Sequence, residues 1–238
     1  MTFKLLKKAL LLASLVTATC ANAIEINSMM LIADSNGEAT FTIKNTQETR
    51  IFMNVGMQEM RVVDGKITRT PYSRENIGDW KIDVRPAKTI IDVNHIKDFK
   101  VSMKCGDTCE DKDEVFQIGF VPTPYFEEGE EQQTVAAVIG FGAVFLKPGS
   151  DKPIQQSSYF DGENVVIENK GDSFFQARIS NCAKNTAKEN VDDCTKNITV
   201  LPGRKYELQL PAEMRKNYVD VYLTTNRDKY KENLRLVK

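Results

Sequence analysis

Histidine-based catalysis would have to rest on His95, because the chain contains a single histidine. A Ser-His-Asp or Cys-His site needs such a residue as the general base beside its nucleophile. His95 lies in a polar turn, residues 92–97, between two predicted strands, where a solvated side chain is expected. The chain lacks a G-x-S-x-G elbow and a phosphate-binding loop, and Gly140-Phe141-Gly142 lacks the third glycine and the helix of a dinucleotide-binding motif. We therefore predict that the protein is not an enzyme.

Cysteines are the second set of residues that could do chemistry, and the sequence has five. Cys105 and Cys109 are separated by three residues, whereas a redox motif usually has two, and a zinc site would need further Cys or His ligands nearby. Cys182 and Cys194 bracket a polar stretch. In an exported chain these four residues predict two structural disulfides, Cys105–Cys109 and Cys182–Cys194, with no metal and no cofactor. The rival interpretation is a thiol oxidoreductase that uses Cys105 and Cys109, and a count of free thiols separates the two.

An acidic run, residues 127–133 (Glu-Glu-Gly-Glu-Glu-Gln-Gln), could in principle recruit a cation. Consecutive carboxylates point in alternate directions on a strand and flex in a loop, so they do not converge on one ion. We interpret this run as a solvated loop. The formal net charge of the chain is −1, which gives no indication of nucleic-acid binding.

Export is predicted by the first residues of the chain. Lysines precede an apolar run (residues 9–16), and Ala21-Asn22-Ala23 has the small-residue pattern of a cleavage site, which predicts a signal peptide over residues 1–23. The apolar run is too short to span a bilayer, which takes about 20 residues. The alternatives are an uncleaved anchor or a lipoprotein modified at Cys20, although the position three residues before Cys20 holds Thr instead of the usual Leu. No later segment approaches transmembrane length, so stable membrane insertion is not expected.

The dominant hydrophobic period after residue 23 is two, which predicts β-strands, and Asp64-Gly65 is a hairpin turn signal. One short helical turn is expected within residues 208–215, and no long amphipathic helix is present. Many short strands with frequent turn signals are typical of immunoglobulin-like sandwiches. The predicted strands span 24–32, 39–44, 50–57, 80–85, 86–91, 99–103, 114–121, 135–146, 164–169, 174–179, 198–201, 206–210 and 218–224.

Residues 147–153 (Lys-Pro-Gly-Ser-Asp-Lys-Pro) form the best candidate for a domain linker, because they combine Pro, Gly and charges with no other apolar residue. The mature chain is long enough for two domains of about 100 residues each. We therefore predict an all-β protein with two immunoglobulin-like β-sandwich domains, residues 24–148 and 149–238. The two domains are expected to be set at an angle, with a cleft between them.

The order of these segments resembles that of the periplasmic chaperones of the chaperone/usher pathway, which serve fimbrial (pilus) subunits. Each motif is short, and the resemblance rests on their order over nearly all of residues 24–238. Residues 80–88 resemble the family's strand, Pro-Ala-x and apolar strand, 114–120 its sixth strand, 135–148 its seventh strand and interdomain turn, and 165–171 its strand ending in Asn-x-Gly. Cys182 and Cys194, followed by Leu201-Pro202-Gly203-Arg204, resemble the divergent alternative branch of the family.

The resemblance implies a periplasmic protein that binds, folds and caps fimbrial subunits and delivers them to an outer-membrane usher. A subunit is a sandwich that lacks one strand, and the chaperone's seventh strand adds to it through main-chain hydrogen bonds and alternate side chains. In this chain the donor segment would be residues 134–139. The alternative is that residues 135–146 are simply a buried core strand. Two alternating sets could fill the pockets, Val135, Ala137 and Ile139 or Thr134, Ala136 and Val138; a slip of one residue exchanges them, and we favour the bulkier first set.

The anchor of the subunit's C-terminal carboxylate differs from the better-known branch of the family, which uses an Arg on the first strand and a Lys on the seventh. Those positions fall near Met30 and Ala143, and neither residue is basic. Arg85, Lys147 and Arg178 are the alternative cations that lie near the predicted cleft.

The second functional hypothesis is a structural or adhesive surface sandwich without chaperone activity. A self-polymerising subunit would need its own donor extension near the mature N-terminus. Residues 24–32 are too short and too sheet-like to serve clearly as one.

Overall fold

The structure is a computed structural model that describes residues 24–105, 110–126, 139–183 and 191–238. Within those ranges the chain consists of strands joined by turns and three short 3-10 helices, Arg74–Asp79, Asp192–Cys194 and Ala212–Met214. The strands are β1 (Ile24–Ile26), β2 (Met30–Ile32), β3 (Glu38–Asn45), β4 (Ile51–Val63), β5 (Lys66–Pro71), β6 (Ile82–Arg85), β7 (Lys88–Ile91), β8 (Ile96–Met103), β9 (Glu114–Pro124), β10 (Phe141–Lys147), β11 (Gln156–Asp161), β12 (Asn164–Asn169), β13 (Phe175–Ser180), β14 (Thr195–Val200), β15 (Lys205–Gln209), β16 (Tyr218–Thr225) and β17 (Lys231–Val237).

The first ten strands form one β-sandwich. One sheet has the order β1-β3-β8-β6, and the other has the order β2-β10-β9-β4-β5, with β7 also paired to β4. All of these pairs are antiparallel except β2 with β10. Aromatic side chains fill the core between the sheets: the Phe120 ring lies 5.8 Å from that of Phe41 and 5.2 Å from that of Phe99, both edge-to-face. Buried and exposed residues alternate along the strands because one face of each sheet packs against this core and the other faces outward.

The last seven strands form a second β-sandwich, with sheets β11-β12-β15 and β14-β13-β16-β17. Its core is aliphatic apart from Phe175 and includes the buried Val165, Ile179 and Val221. The predicted fold class, all-β with two immunoglobulin-like sandwiches, is confirmed.

An asparagine ties down the end of one strand in each sandwich. Buried Asn45, the last residue of β3, donates its side-chain N–H groups to the carbonyls of Thr49, Ile91 and Asp92. Buried Asn169, the last residue of β12, donates to the carbonyls of Ser173 and of Val200, the last residue of β14, and accepts the N–H of Gly171. Because a side-chain amide can satisfy several buried backbone groups at once, each asparagine closes a turn that the sheets leave unpaired.

The predicted hairpin at Asp64-Gly65 is present, with φ of 50° and 73°, as a tight turn between β4 and β5 requires. The single strand expected over residues 24–32 is wrong. The chain instead pairs β1 with β3 in one sheet and β2 with β10 in the other. Asn27 lies at the crossing, where its side chain donates to the Thr40 carbonyl and accepts the Thr42 N–H. The crossing lets both short strands contribute apolar side chains to one core.

Charged side chains close the end of the first core that lies nearest the second sandwich. Lys81 Nζ lies 2.8 Å from Glu114 Oε1 and 3.1 Å from Glu59 Oε1, and Arg61 Nε lies 2.9 Å from the same Glu59 oxygen. Burial alone would raise the pKa of Glu59, but hydrogen bonds from Arg61 and Lys81 lower it below its ordinary value. Burial alone would lower the pKa of Lys81, but its bonds to Glu114 and Glu59 raise it.

Replacing the shared cation should destabilise the protein in a pH-dependent way. Lys81→Met removes the ammonium that pairs with the buried Glu114 and leaves Glu59 with Arg61 alone, and we expect it to lower the free energy of unfolding by about 2 kcal/mol at pH 7, less than for a fully buried pair because Lys81 is partly exposed. A carboxyl group whose pKa is lowered by folding stabilises the fold at pH values above its unfolded pKa. This stabilisation is lost as the pH falls through the folded pKa, so the destabilisation caused by Lys81→Met should shrink towards pH 4. Urea unfolding at both pH values measures it. Lys44→Met, which removes an exposed pair with Glu25, is the control and should cost less than 0.5 kcal/mol.

Cys182 and Cys194 form a disulfide with their Cα atoms 5.1 Å apart. The bridge joins the end of β13 to the start of β14 and closes a loop with a sequence separation of 12 residues. Cys105 is also disulfide-bonded. Its predicted partner, Cys109, lies outside the described residues.

Loss of the Cys182–Cys194 bridge should destabilise the second sandwich. We expect the Cys182→Ser/Cys194→Ser variant to lose about 2–4 kcal/mol of unfolding free energy, because the reduced chain gains loop entropy when unfolded. Denaturant unfolding followed separately in the two sandwiches checks this. An unchanged midpoint for the second sandwich would contradict a stabilising role.

Candidate functional site

The strand β10 carries the candidate site, because the two edges of its backbone are only partly covered. On one side it pairs with β9, from Phe141 opposite Phe120 to Lys147 opposite Glu114. On the other side β2 pairs with Val144–Leu146 alone. Among the described residues, no strand covers the outer edge of β10 at Gly142. A row of backbone donors and acceptors there is open to a further strand.

Local hydrogen bonds explain why β2 stops short. The Ser28 hydroxyl accepts the N–H of Met30 at 3.1 Å and donates to the carbonyl of Met30 at 2.6 Å. This side-chain turn lies just before β2, so the strand begins only at Met30. The Met29 carbonyl accepts the N–H of Val144 at this point. Upstream, β1 lies in the other sheet, so it cannot extend the cover along β10.

Ile139 lies at the open end of β10 and is the most exposed large apolar residue that the structure describes, at 79%. It lies two residues before Phe141, and the alternate positions Phe141, Ala143 and Phe145 belong to or pack against the core. Ile139 precedes β10, and if the alternation of the strand were continued to it, its side chain would have the same phase as this core-facing set. An apolar side chain in that phase and in solvent marks a place where the core could be continued by another molecule.

The other predicted donor residues, Val135, Ala136, Ala137 and Val138, lie outside the described residues, as do Thr134 and the acidic loop at 127–133. Of the donor set, the structure therefore describes only Ile139. The alternative that 135–146 is a buried core strand holds for its C-terminal part, where Ala143, Phe145 and Leu146 are fully buried.

A row without side chains crosses the outward face of the same sheet. Gly56, Gly119 and Gly142 are direct neighbours on β4, β9 and β10. A Cβ on Gly142 would come within 2.1 Å of the Gln117 side chain, which lies over it. On one side the row is bordered by Gln117 and Gln58, which hydrogen-bond each other. The Gln117 side chain therefore occupies the space over Gly142 on the outward face that a side chain at this position would need.

The positions that resemble the family's carboxylate anchors lie side by side but cannot bind an anion. Met30 pairs with Val144, and the neighbouring Ala143 is fully buried in the core. Of the alternative cations, Arg85 is bonded to Asp83 on the sheet that lacks β10, and Arg178 lies on the outer face of the second sandwich. Only Lys147 continues β10 towards the second sandwich.

A cavity of about 650 Å³ separates the two sandwiches next to Lys147. The β2–β3 turn (Asp34, Gly37) and Met103 line it from the first sandwich, and Arg227 lines it from the β16–β17 turn. Lys147 Nζ donates to the carbonyls of Glu110 and Lys112. Among the described residues, these two bonds use two of the three donors of the ammonium group.

Apolar contacts hold the sandwiches together on the far side of that cavity. Met60, Val115 and Leu146 of the first sandwich form one buried cluster with Phe174 and Leu201 of the second. The guanidinium of Arg204 adds a 2.7 Å bond to the carbonyl of Gly65 in the β4–β5 turn. The C-terminal end of β10, at Leu146, is therefore part of the interface between the sandwiches.

Asp113 connects the linker to both sandwiches. Its carboxylate accepts the N–H of Gly149 at 2.8 Å and that of Phe174 at 2.5 Å. Burial raises the pKa of Asp113 despite these bonds. A Cβ on Gly149 would lie 2.8 Å from the Lys112 backbone, so only glycine permits this approach.

The described residues contain no cluster of three or more His, Cys, Asp or Glu side chains that could hold a metal ion. His95 is exposed, and its Nδ1 lies 3.0 Å from the carbonyl of Val93. In the part of the chain that the structure describes, no helix is long and apolar enough to cross a membrane.

Sequence reasoning missed the two residues that limit β9 next to the open edge. The strand predicted over residues 114–121 stops just before Pro122, but β9 continues to Pro124. The spacing of two between the prolines is the signal that could have shown this, because it places both on one edge of the strand.

Solved structures with the same fold are fimbrial chaperones and their complexes. The class 5 fimbriae chaperone CfaA has a TM-score of 0.53 and 12% identity, with 91% of this chain and 100% of that chain covered. A chain of the Salmonella enterica complex of the SafA pilin with the SafB chaperone has a TM-score of 0.55 and 12% identity, with 93% and 99% covered. A chain of the chaperone–tip adhesin complex of CFA/I fimbriae biogenesis has a TM-score of 0.51 and 13% identity, with 91% and 98% covered.

No curated protein matches the chain in sequence. A family profile does match: that of the CS5 fimbrial protein N-terminal domain, over residues 26–148. This match takes in the first sandwich, β10 and the candidate site at its open edge. Because it spans more than half of the chain, the protein belongs to the CS5 fimbrial protein N-terminal domain family.

Proposed function

We propose that the protein is a periplasmic chaperone that binds, folds and caps fimbrial subunits by donating a strand to them, and that delivers them to an outer-membrane usher. The observation that carries the proposal is the open end of β10, where the apolar Ile139 is 79% exposed two residues before Phe141, which packs against the core. The family match and the fold shared with CfaA and with SafB–SafA support it.

The physical basis is a strand that one sandwich lacks and another supplies. An immunoglobulin-like subunit without one strand exposes a groove with apolar pockets and unpaired backbone groups. A donated strand satisfies those groups with main-chain hydrogen bonds and fills the pockets with alternate side chains. In this proposal the protein binds subunits and catalyses no reaction.

The donor segment in this proposal is residues 134–139. The phase of Ile139 with Phe141, Ala143 and Phe145 favours one of the two registers. If the alternation continues without a bulge, Val135 and Ala137 share that phase, whereas Thr134, Ala136 and Val138 have the opposite one.

The proposed division of the chain is a signal peptide over 1–23 and domains over 24–148 and 149–238. Export to the periplasm follows from this division. Separate sheets on either side of the linker support the domain boundary. For the subunit's C-terminal carboxylate we propose Lys147 as an anchor, because it ends β10 and lines the cavity between the sandwiches.

A charge at the open end of β10 should abolish subunit binding without unfolding the protein. The full chain is expressed with candidate subunits encoded beside it, recovered by a C-terminal tag, and analysed for a stoichiometric partner. We expect Ile139→Asp to lose that partner, because a carboxylate in an apolar pocket is strongly disfavoured. The exposed position of Ile139 means that the thermal midpoint should stay within about 2 °C.

Ile96→Asp is the matched control, because Ile96 is also exposed, at 61%, but lies on β8 in the opposite sheet. It should bind subunit like the unsubstituted protein. Capture that survives Ile139→Asp would show that the donor segment is elsewhere. A monomer without any partner, beside stable candidate subunits, would favour a structural or adhesive sandwich.

A further inference from the structure

Strand β9 contains two prolines at positions where a strand with neighbours on both sides could not accept them. Pro122 and Pro124 lack a backbone N–H, so proline within a sheet is confined to an edge where no donor is needed. Yet β9 remains a strand as far as Pro124, paired with β4 by Pro124 opposite Ile51. The unneeded donors must therefore lie on the other edge of β9, the one that faces β10.

The observed hydrogen bonds fix which residues of β9 face which neighbour. The N–H of Tyr125 donates to the carbonyl of Arg50, just beyond the paired strands, at 3.0 Å. Because backbone groups alternate between the two edges, odd-numbered residues of β9 face β4 and even-numbered residues face β10. On β10, the N–H of Val144 donates to Met29, so its odd-numbered residues face β9. Both observations give the same alternation.

The last pair of the β9–β10 ladder is Phe120 with Phe141. Continuing this antiparallel register by one step of two residues would place Ile139 opposite Pro122. There the backbone of β9 could offer a carbonyl but no N–H. The ladder ends where the first proline begins, and Ile139 belongs to no strand. The end of β10 thus coincides with the loss of donors on its neighbour.

We propose that Pro122 and Pro124 are positioning residues that end the β9–β10 ladder at Phe120–Phe141 and so keep the backbone at Ile139 available for a subunit. This rests on the proposed function. A strand inserted into a groove must offer both of its edges. The outer edge of β10 is open before Val144 because the parallel strand β2 begins only at Met30, and the inner edge is open because β9 lacks donors at the two prolines.

The inference is tested first on the protein alone. Pro122→Ala and Pro122→Val each restore one N–H that faces β10, and the Pro122→Val/Pro124→Val variant restores two. We expect the ladder to extend, so that the Ile139 amide exchanges with solvent about tenfold more slowly by NMR, as one or two added hydrogen bonds allow. Pro122→Ala and Pro122→Val should act alike, because the restored group belongs to the backbone.

Pro71→Val is the matched control, because Pro71 ends β5 in the same sheet and is remote from β10. It also relaxes a fixed φ angle, but it should leave exchange at Ile139 unchanged. Unchanged exchange at Ile139 in the Pro122 variants would overturn the inference, whatever happens to subunit binding. The thermal midpoint of each variant verifies that it is folded, and Pro122→Ala is the mildest change if the double variant is not.

Subunit binding is the second measurement, with the subunit that co-purifies with the unsubstituted protein as the probe. We expect association to be about tenfold slower in the Pro122 variants, because the strand must first leave β9. If exchange of the Ile139 amide became slower while association with the subunit stayed unchanged, the positioning role would be overturned. The prolines would then only protect an edge of the sheet from further pairing. Slower exchange in a protein that captures no subunit in any form would instead overturn the proposed function alone.

Discussion

Pairing of backbone groups along β10 is the constraint on which the rest of the molecule depends. A strand carries donors and acceptors on two edges, and each must be satisfied by the chain, by a partner or by water. Over Val144–Leu146 both edges are used, by β9 and β2. At Gly142 only β9 remains, and at Ile139 no described strand pairs on either side. The strand therefore changes from fully buried to unpaired within a few residues.

The buried end of β10 makes the open end possible. Leu146 is fully buried against Phe174 of the second sandwich, and Lys147 is held by two carbonyls of the loop that precedes β9. Asp113 then holds the linker at Gly149. These contacts fix the direction and phase of the strand from one side, so a partner would meet a strand whose orientation is already set. Preorganisation of this kind lowers the entropic cost of binding.

The sequence predicted strands where hydrophobic alternation is strong and failed where pairing alone makes the strand. β3 and β12 follow from alternating apolar residues and the asparagine that ends each of them. β17, Lys231–Val237, was not predicted, because lysine, glutamate and arginine occupy three of its seven positions and only Leu234 and Leu236 pack on the core. The crossing at Asn27 was missed for a related reason: apolar residues lie on both sides of Asn27-Ser28, and the side-chain hydrogen bonds that hold the break between β1 and β2 are not visible in that pattern.

The candidate site was partly readable from sequence. Ile139 could be assigned to the donor segment because it belongs to an apolar stretch that directly follows an acidic loop. The edges could not be placed, because which neighbour a residue faces depends on register, a property of two strands together. The prolines show where such information does survive in one sequence. Two prolines spaced by two residues within a strand lie on the same edge, so their spacing states that this edge has no strand beside it. In this chain that edge faces the segment before Phe141. The two prolines therefore do not end β9; they indicate that no strand pairs with β9 along that part of the edge.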